Sequence, residues 1–90
     1  MMDRYTRKDA TKALQLLCEV IGHPMGFDEG EWFLDYNSTY GGCVVAEKMA
    51  GGGEHEPFGS ARVPTREFCH KVNFAIRAIE HDRAAREASA

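Results

Sequence analysis

No stretch of this 90-residue sequence approaches the roughly 20 consecutive apolar residues of a membrane-spanning helix. There is no surplus of basic charge either. Eleven Lys and Arg face fourteen Asp and Glu, a net charge of -3. That balance speaks against a domain whose main task is gripping a nucleic-acid backbone, since such domains are usually basic. Cysteine is sparse and odd in number: Cys18, Cys43 and Cys69 show no paired spacing, so they do not make a disulfide framework. Three free thiols fit a reducing compartment, hence cytoplasm. Arg4, Arg7 and Lys8 precede apolar residues, but Gln15 and Glu19 interrupt them, which is the pattern of an amphipathic helix and not of a signal peptide. Internal repeats are missing, and the only low-complexity stretch is the Ala- and charge-rich end, His81 to Ala90.

What is present reads as one domain over 1–90. Hydrophobic residues at 43% and charged residues at 28% are ordinary globular values and argue against wholesale disorder. Residues 1–5 read as a loose lead-in. Thr6 and Asp9 have the spacing of a helix-capping pair. Ala10, Ala13, Leu14, Leu17, Val20 and Ile21 recur at helical spacing, widened by Leu16 and Cys18 into an arc that one sheet face cannot cover. Gly22 and Pro24 end this helix. In the connector that follows, Met25 and Phe27 are expected to plug the edge of the core.

Glu31 to Met49 reads as two short strands. Trp32, Leu34 and Tyr36 alternate with Phe33 and Asp35, and Gly41-Gly42 supplies a turn. With Val44 and Ala46 placed beside Trp32, Leu34 and Tyr36 on the inner face, Phe33, Asp35, Val45, Glu47 and Met49 fall outside. Val44-Val45 suits either face, and a one-residue slip exchanges the two. Gly51-Gly52-Gly53 breaks the second strand, Glu54 to Gly59 reads as a loop, and Ser60 to Val63 as a short third strand at the sheet edge. Pro64-Thr65 opens a second helix with Thr65 as its N-cap, and Phe68, Val72, Ala75, Ile76 and Ile79 share its buried face. Residues 82–90 read as a frayed or exposed helical tail. The sum is an α+β fold, α-β-β-(β)-α: a small antiparallel hairpin or three-stranded sheet flanked by an N-terminal and a C-terminal helix.

The run Trp32-Phe33-Leu34-Asp35, then Tyr40-Gly41-Gly42, Gly51-Gly52-Gly53 and Arg66-Glu67-Phe68 resembles short uncharacterised proteins encoded by tailed phages and prophages. The resemblance covers roughly residues 31 to 80, and Asn37-Ser38-Thr39 is an insertion relative to it. Since that group carries no assigned activity, the resemblance brings no catalytic residue. It implies a small accessory protein at work in the cytoplasm of an infected bacterium.

Residues able to do chemistry are scattered. The triple glycine leads into acidic Glu54-His55-Glu56, which would repel a phosphate, and lacks the Lys-Ser/Thr of a phosphate loop. Cys43, His55, Cys69 and His70 have no metal-ligand spacing, and small buried thiols are the simpler reading. Cys43 with a loop histidine, or Asp35 with Glu47 across the hairpin, would form a reactive pair only if the fold brought them together. No cofactor is implied. The stronger signals concern binding. Phe33, Val45, Met49 and Phe74 fall outside the expected core, so a protein partner or a second copy of the chain is expected to cover them, with a dimer at micromolar concentration. The alternative is a nucleic-acid contact through Arg62, Arg66, Lys71 and Arg77, with Phe74 stacking on a base.

Overall fold

A computed structural model describes residues 5–37 and 41–89. Tyr40 of the expected turn, Ser38 and Thr39 of the insertion, residues 1–4 of the lead-in and Ala90 lie outside the described residues. The elements are α1 (Arg7–Ile21), β1 (Trp32–Asn37), β2 (Gly42–Lys48), β3 (Glu54–His55) and α2 (Thr65–Ser89), and the sheet order is β1-β2-β3, all antiparallel. This is the expected α+β plan, with the third strand present.

Helix α1 begins on a reciprocal cap. The Asp9 amide donates to the Thr6 hydroxyl at 3.3 Å, and the Thr6 amide donates to the Asp9 carboxylate at 2.8 Å. Gly22 ends the helix at φ +73°, and the His23 amide donates back to the Cys18 carbonyl at 2.9 Å. Ala10, Leu14, Leu17 and Cys18 of α1 meet Trp32, Cys43 and Val45 of the sheet and Phe68, Cys69 and Val72 of α2 in one core. Both helices therefore cover the same face of the sheet. Tyr5 belongs to the fold and not to a loose lead-in: its ring packs edge-on to His70, centroids 5.5 Å apart, and its hydroxyl lies 3.3 Å from His70 Nε2.

The register corrects the expected faces of β2. Trp32 pairs with Glu47, Leu34 with Val45 and Tyr36 with Cys43, so Cys43, Val45 and Glu47 face the helices, while Val44 and Ala46 share the other face with Phe33 and Asp35. Val45 is therefore core and not outer surface, at 4% exposure. Val44 is buried as well, because the open face has its own cover. Arg62 reaches back across β2 on that side. Its guanidinium donates to the carbonyls of Asp35 (3.0 Å) and Gly42 (3.2 Å) and pairs with the Asp35 carboxylate at 3.0 Å. A strand apolar at successive positions is one covered on both faces.

The third strand is not where the residue types placed it. The turn over 49–53 closes at once, with the Met49 amide donating to the Gly53 carbonyl at 2.7 Å, so Glu54–His55 pairs directly with Glu47-Lys48. A Lys48–Glu54 ion pair of 3.1 Å supports it. An uninterrupted ladder would then bring residue 59 opposite Cys43. Val63 stands there instead, exchanging two backbone bonds with Cys43 at 2.8 and 3.0 Å, so the segment between bulges out by four residues. Met25 packs against the core as expected, but Phe27 does not: its ring lies 5.1 Å from that of Phe33 on the open face and is 73% exposed.

Thr65, expected as the N-cap, is the first residue of α2, whose first backbone bond runs from the Phe68 amide to the Pro64 carbonyl at 2.9 Å. The helix spans 25 residues, about 37 Å at 1.5 Å per residue. Its core stripe ends at Ile79, and residues 80–89 are helical and exposed throughout. They are held by local contacts such as the Asp82–Arg86 pair at 2.8 Å.

Candidate interaction surface

The bulge over residues 56–62 and the exposed flank of α2 leave a gap between them above β2. Leu17, Val45, Phe68 and Val72, all buried, form its floor. Phe58 and Ala61 of the bulge and Lys71 and Ala75 of α2 form its rim. The volume is about 280 Å³, just below the roughly 300–1,000 Å³ of small-molecule sites, and suits one bulky side chain better than a cofactor. Phe58 stays in place, though 61% exposed, because its ring meets the Trp32 ring edge-on at 5.0 Å.

Phe74 lies on the same flank of α2, next to Lys71 of the rim, and does not line the pocket. It follows Lys71 by three residues and precedes Ala78 by four, so Lys71, Phe74, Ala75 and Ala78 share one flank of α2. At 76% exposure it is the most exposed large apolar side chain among the described residues. Arg66, His70 and Lys71 border the same open surface on its other side.

The four residues expected to make one apolar patch are not brought together. Phe74 lies on the open surface of α2 with Arg66, His70 and Lys71. Phe33 is half-buried on the open face under Phe27, with Lys48 Nζ 5.7 Å from its ring centre. Met49, 41% exposed, sits in the turn after β2, and Val45 is core. The basic set is divided too. Arg62 is committed to the fold, and Lys71 pairs with Glu67 at 3.1 Å, leaving Arg66 and Arg77 exposed on α2.

The possible reactive groups are kept apart. Asp35 and Glu47 lie on opposite faces of the sheet. Cys43 has Thr65 Oγ1 3.9 Å from its sulfur and the Arg62 charge nearby, while His55 is held elsewhere by Glu47. Burial pushes all three thiols above their ordinary range, which favours the inert protonated form. Among the described residues, no three His, Cys, Asp or Glu side chains are placed to share a metal ion.

One polar cluster had no signal in the sequence. Glu47 accepts from the Trp32 indole N–H at 2.9 Å and lies 3.3 Å from His55 Nε2, while His23 stacks on the indole at 3.9 Å and places its Nε2 3.0 Å from the Gly30 carbonyl. The indole bond first, then the His55 bond and the charges of His55 and His23, hold the Glu47 carboxyl below its ordinary value of 4.5. A depressed carboxyl stabilises the fold above its unfolded value, and that contribution is lost as pH falls through the folded one. The urea midpoint of the wild-type chain is therefore expected to fall more steeply below about pH 4.5 than that of Glu47→Gln. The single tryptophan reports both transitions by fluorescence, and equal slopes would remove Glu47 from the pH dependence.

No protein-family model matches this chain, and no curated protein or solved structure matches it.

Proposed function

We propose that this protein is a small phage-derived accessory protein that acts by binding another protein, without chemistry of its own, in the cytoplasm of the infected bacterium. The observation that carries the binding reading is the exposed Phe74 ring, on an α2 surface that shares Lys71 with the rim of an apolar pocket floored by the core. Exposed aromatic anchors and apolar pockets are where binding energy concentrates.

The nucleic-acid alternative has lost support. Of its four cations, Arg62 is engaged on the far face and Lys71 is paired, and the chain as a whole is acidic. The two readings differ in their response to salt, because phosphate contacts weaken steeply with ionic strength and apolar contacts do not. Immobilised protein is expected to retain a bacterial or phage protein at about 0.5 M salt, where surface charge is screened beyond roughly 4 Å. Phe74→Asp is expected to lose it. No shifted band is expected with mixed DNA and RNA at low salt. Equal retention by Phe74→Asp, or a nucleic-acid complex that salt dissolves, would overturn the proposal.

A further inference from the structure

Strand β1 lies at the edge of the sheet, and its backbone groups alternate between β2 and the outside. Lys48 donates to the Glu31 carbonyl, so β2 takes up Glu31 and, at every second residue, Phe33 and Asp35. Cys43, opposite Tyr36, turns its own amide and carbonyl to Val63, in keeping with that alternation. Trp32, Leu34 and Tyr36 therefore point their amides and carbonyls away from β2. The connector answers Trp32: the Trp32 amide donates to the Pro24 carbonyl at 3.1 Å, and the Gly26 amide donates to the Trp32 carbonyl at 2.9 Å. The cover ends there. Among the described residues, nothing bonds to the outward backbone groups of Leu34 or Tyr36. Such groups are a template for one more strand.

Side chains at this edge say what kind of strand fits. The Arg7 guanidinium stands 5.8 Å from the centre of the Tyr36 ring, and among the described residues it meets no carboxylate. Asp35, on the other face, is already held by Arg62. A second copy fits poorly. A two-fold through Asp35 would set Leu34 opposite Tyr36 of the copy, but it would also set Asp35 directly opposite Asp35, and like charges in that position destabilise. It would bring no acid to Arg7 either. A two-fold through Leu34 would drive Tyr36 of the copy into the connector on Trp32. We propose that the outer edge of β1 binds an extended segment of another protein by strand addition, with an acidic side chain beside Tyr36 held by Arg7 and an apolar one beside Leu34, two positions away. This surface is separate from the Phe74 side of α2. The open edge from Leu34 to Asn37 is about 13 Å long, so binding is weak, with a Kd on the order of 100 μM.

The probe is a fluorescein-labelled peptide of about seven residues, threonine alternating with valine and glutamate at the centre, titrated with the full chain by anisotropy. Lysine in place of the glutamate is expected to weaken binding about tenfold, and Arg7→Glu to reverse that preference. Arg7 is exposed, so circular dichroism should show unchanged folding. N-methylation of one alternate set of peptide amides should abolish binding, and of the other set should not, because only one set faces β1. Hydrogen exchange at the Leu34 and Tyr36 amides should slow about tenfold with the peptide bound. No binding at about 1 mM, indifference to methylation, or an unchanged preference in Arg7→Glu overturns the inference. So does slow exchange at both amides without peptide in the concentrated chain, which would give the edge to a second copy. Phe74→Asp should bind the peptide as wild type does. Loss of the peptide in that variant overturns the edge site alone, since the interaction reading is judged on Phe74-dependent retention of a protein.

Discussion

Gly42→Ala is expected to cost about 3–5 kcal/mol, combining backbone strain of roughly 1–3 kcal/mol with an overpacking term of similar size. Gly42 opens β2 at φ +108°, in the region that L residues avoid. A methyl group there would also run into the Val63 carbonyl oxygen and stand 3.2 Å from Pro64 Cα, both backbone, so neither can swing away. That carbonyl receives the Cys43 amide, and Gly42's own carbonyl receives Arg62. Moving either end would loosen the closure of the 56–62 bulge, the Arg62 strap and the entry into α2 together. Gly41 is the internal control. It has φ +97° but open space around its missing Cβ, so Gly41→Ala should cost only the strain, about 1–3 kcal/mol. Urea unfolding followed by Trp32 fluorescence separates the two. Equal losses would mean that the close approach of Val63 to Gly42 does not matter to stability. A loss of 3–5 kcal/mol takes a large share of the stability of a domain this small, for which about 5–15 kcal/mol is usual.

The helices and the presence of two strands were legible because their signals are local. Thr6 with Asp9, Gly22 with Pro24 and the apolar stripes each act within a few residues, and the structure uses them so. The faces of β2 were not legible. Val44 and Val45 are chemically alike, and what decides between them lies far along the chain: α1 and α2 on one side, the Arg62 side chain on the other. The third strand was expected at Ser60 to Val63 and forms at Glu54–His55 for a different reason. Glu54 and His55 have no apolar alternation, and they pair because the turn closes tightly and Glu47 and Lys48 offer opposite partners. Phe74 could be read as an outlier because it falls off a clean helical stripe. The pocket beside it could not, since its outer wall depends on how far the bulge carries Phe58 and Ala61 away from the sheet.

The same distance effect turned Arg62 from a surface cation into a structural one, and its removal is the second large effect. Arg62→Ala is expected to cost about 2–3 kcal/mol, from hydrogen bonds by a charged donor at roughly 1.5–3 kcal/mol in total, with lost packing of the stem over the open face added. The ion pair itself is the smaller part. Both partners are about a third exposed, at 26% and 38%, so solvent screens it. Asp35→Ala should therefore cost under about 1 kcal/mol, because the two carbonyl bonds survive it. Arg62→Lys should recover less than half of the loss, since an ammonium cannot reach the Asp35 carbonyl, the Gly42 carbonyl and the carboxylate with one planar fork. Arg66→Ala and Arg77→Ala, exposed on α2, should stay within about 0.5 kcal/mol of wild type. A chain in which Arg62→Ala is as mild as these two would return Arg62 to the solvent-facing set and reopen the nucleic-acid reading. A loss of the expected size fixes its task as joining the 56–62 bulge to β1, and so as holding the outer wall of the pocket over Val45.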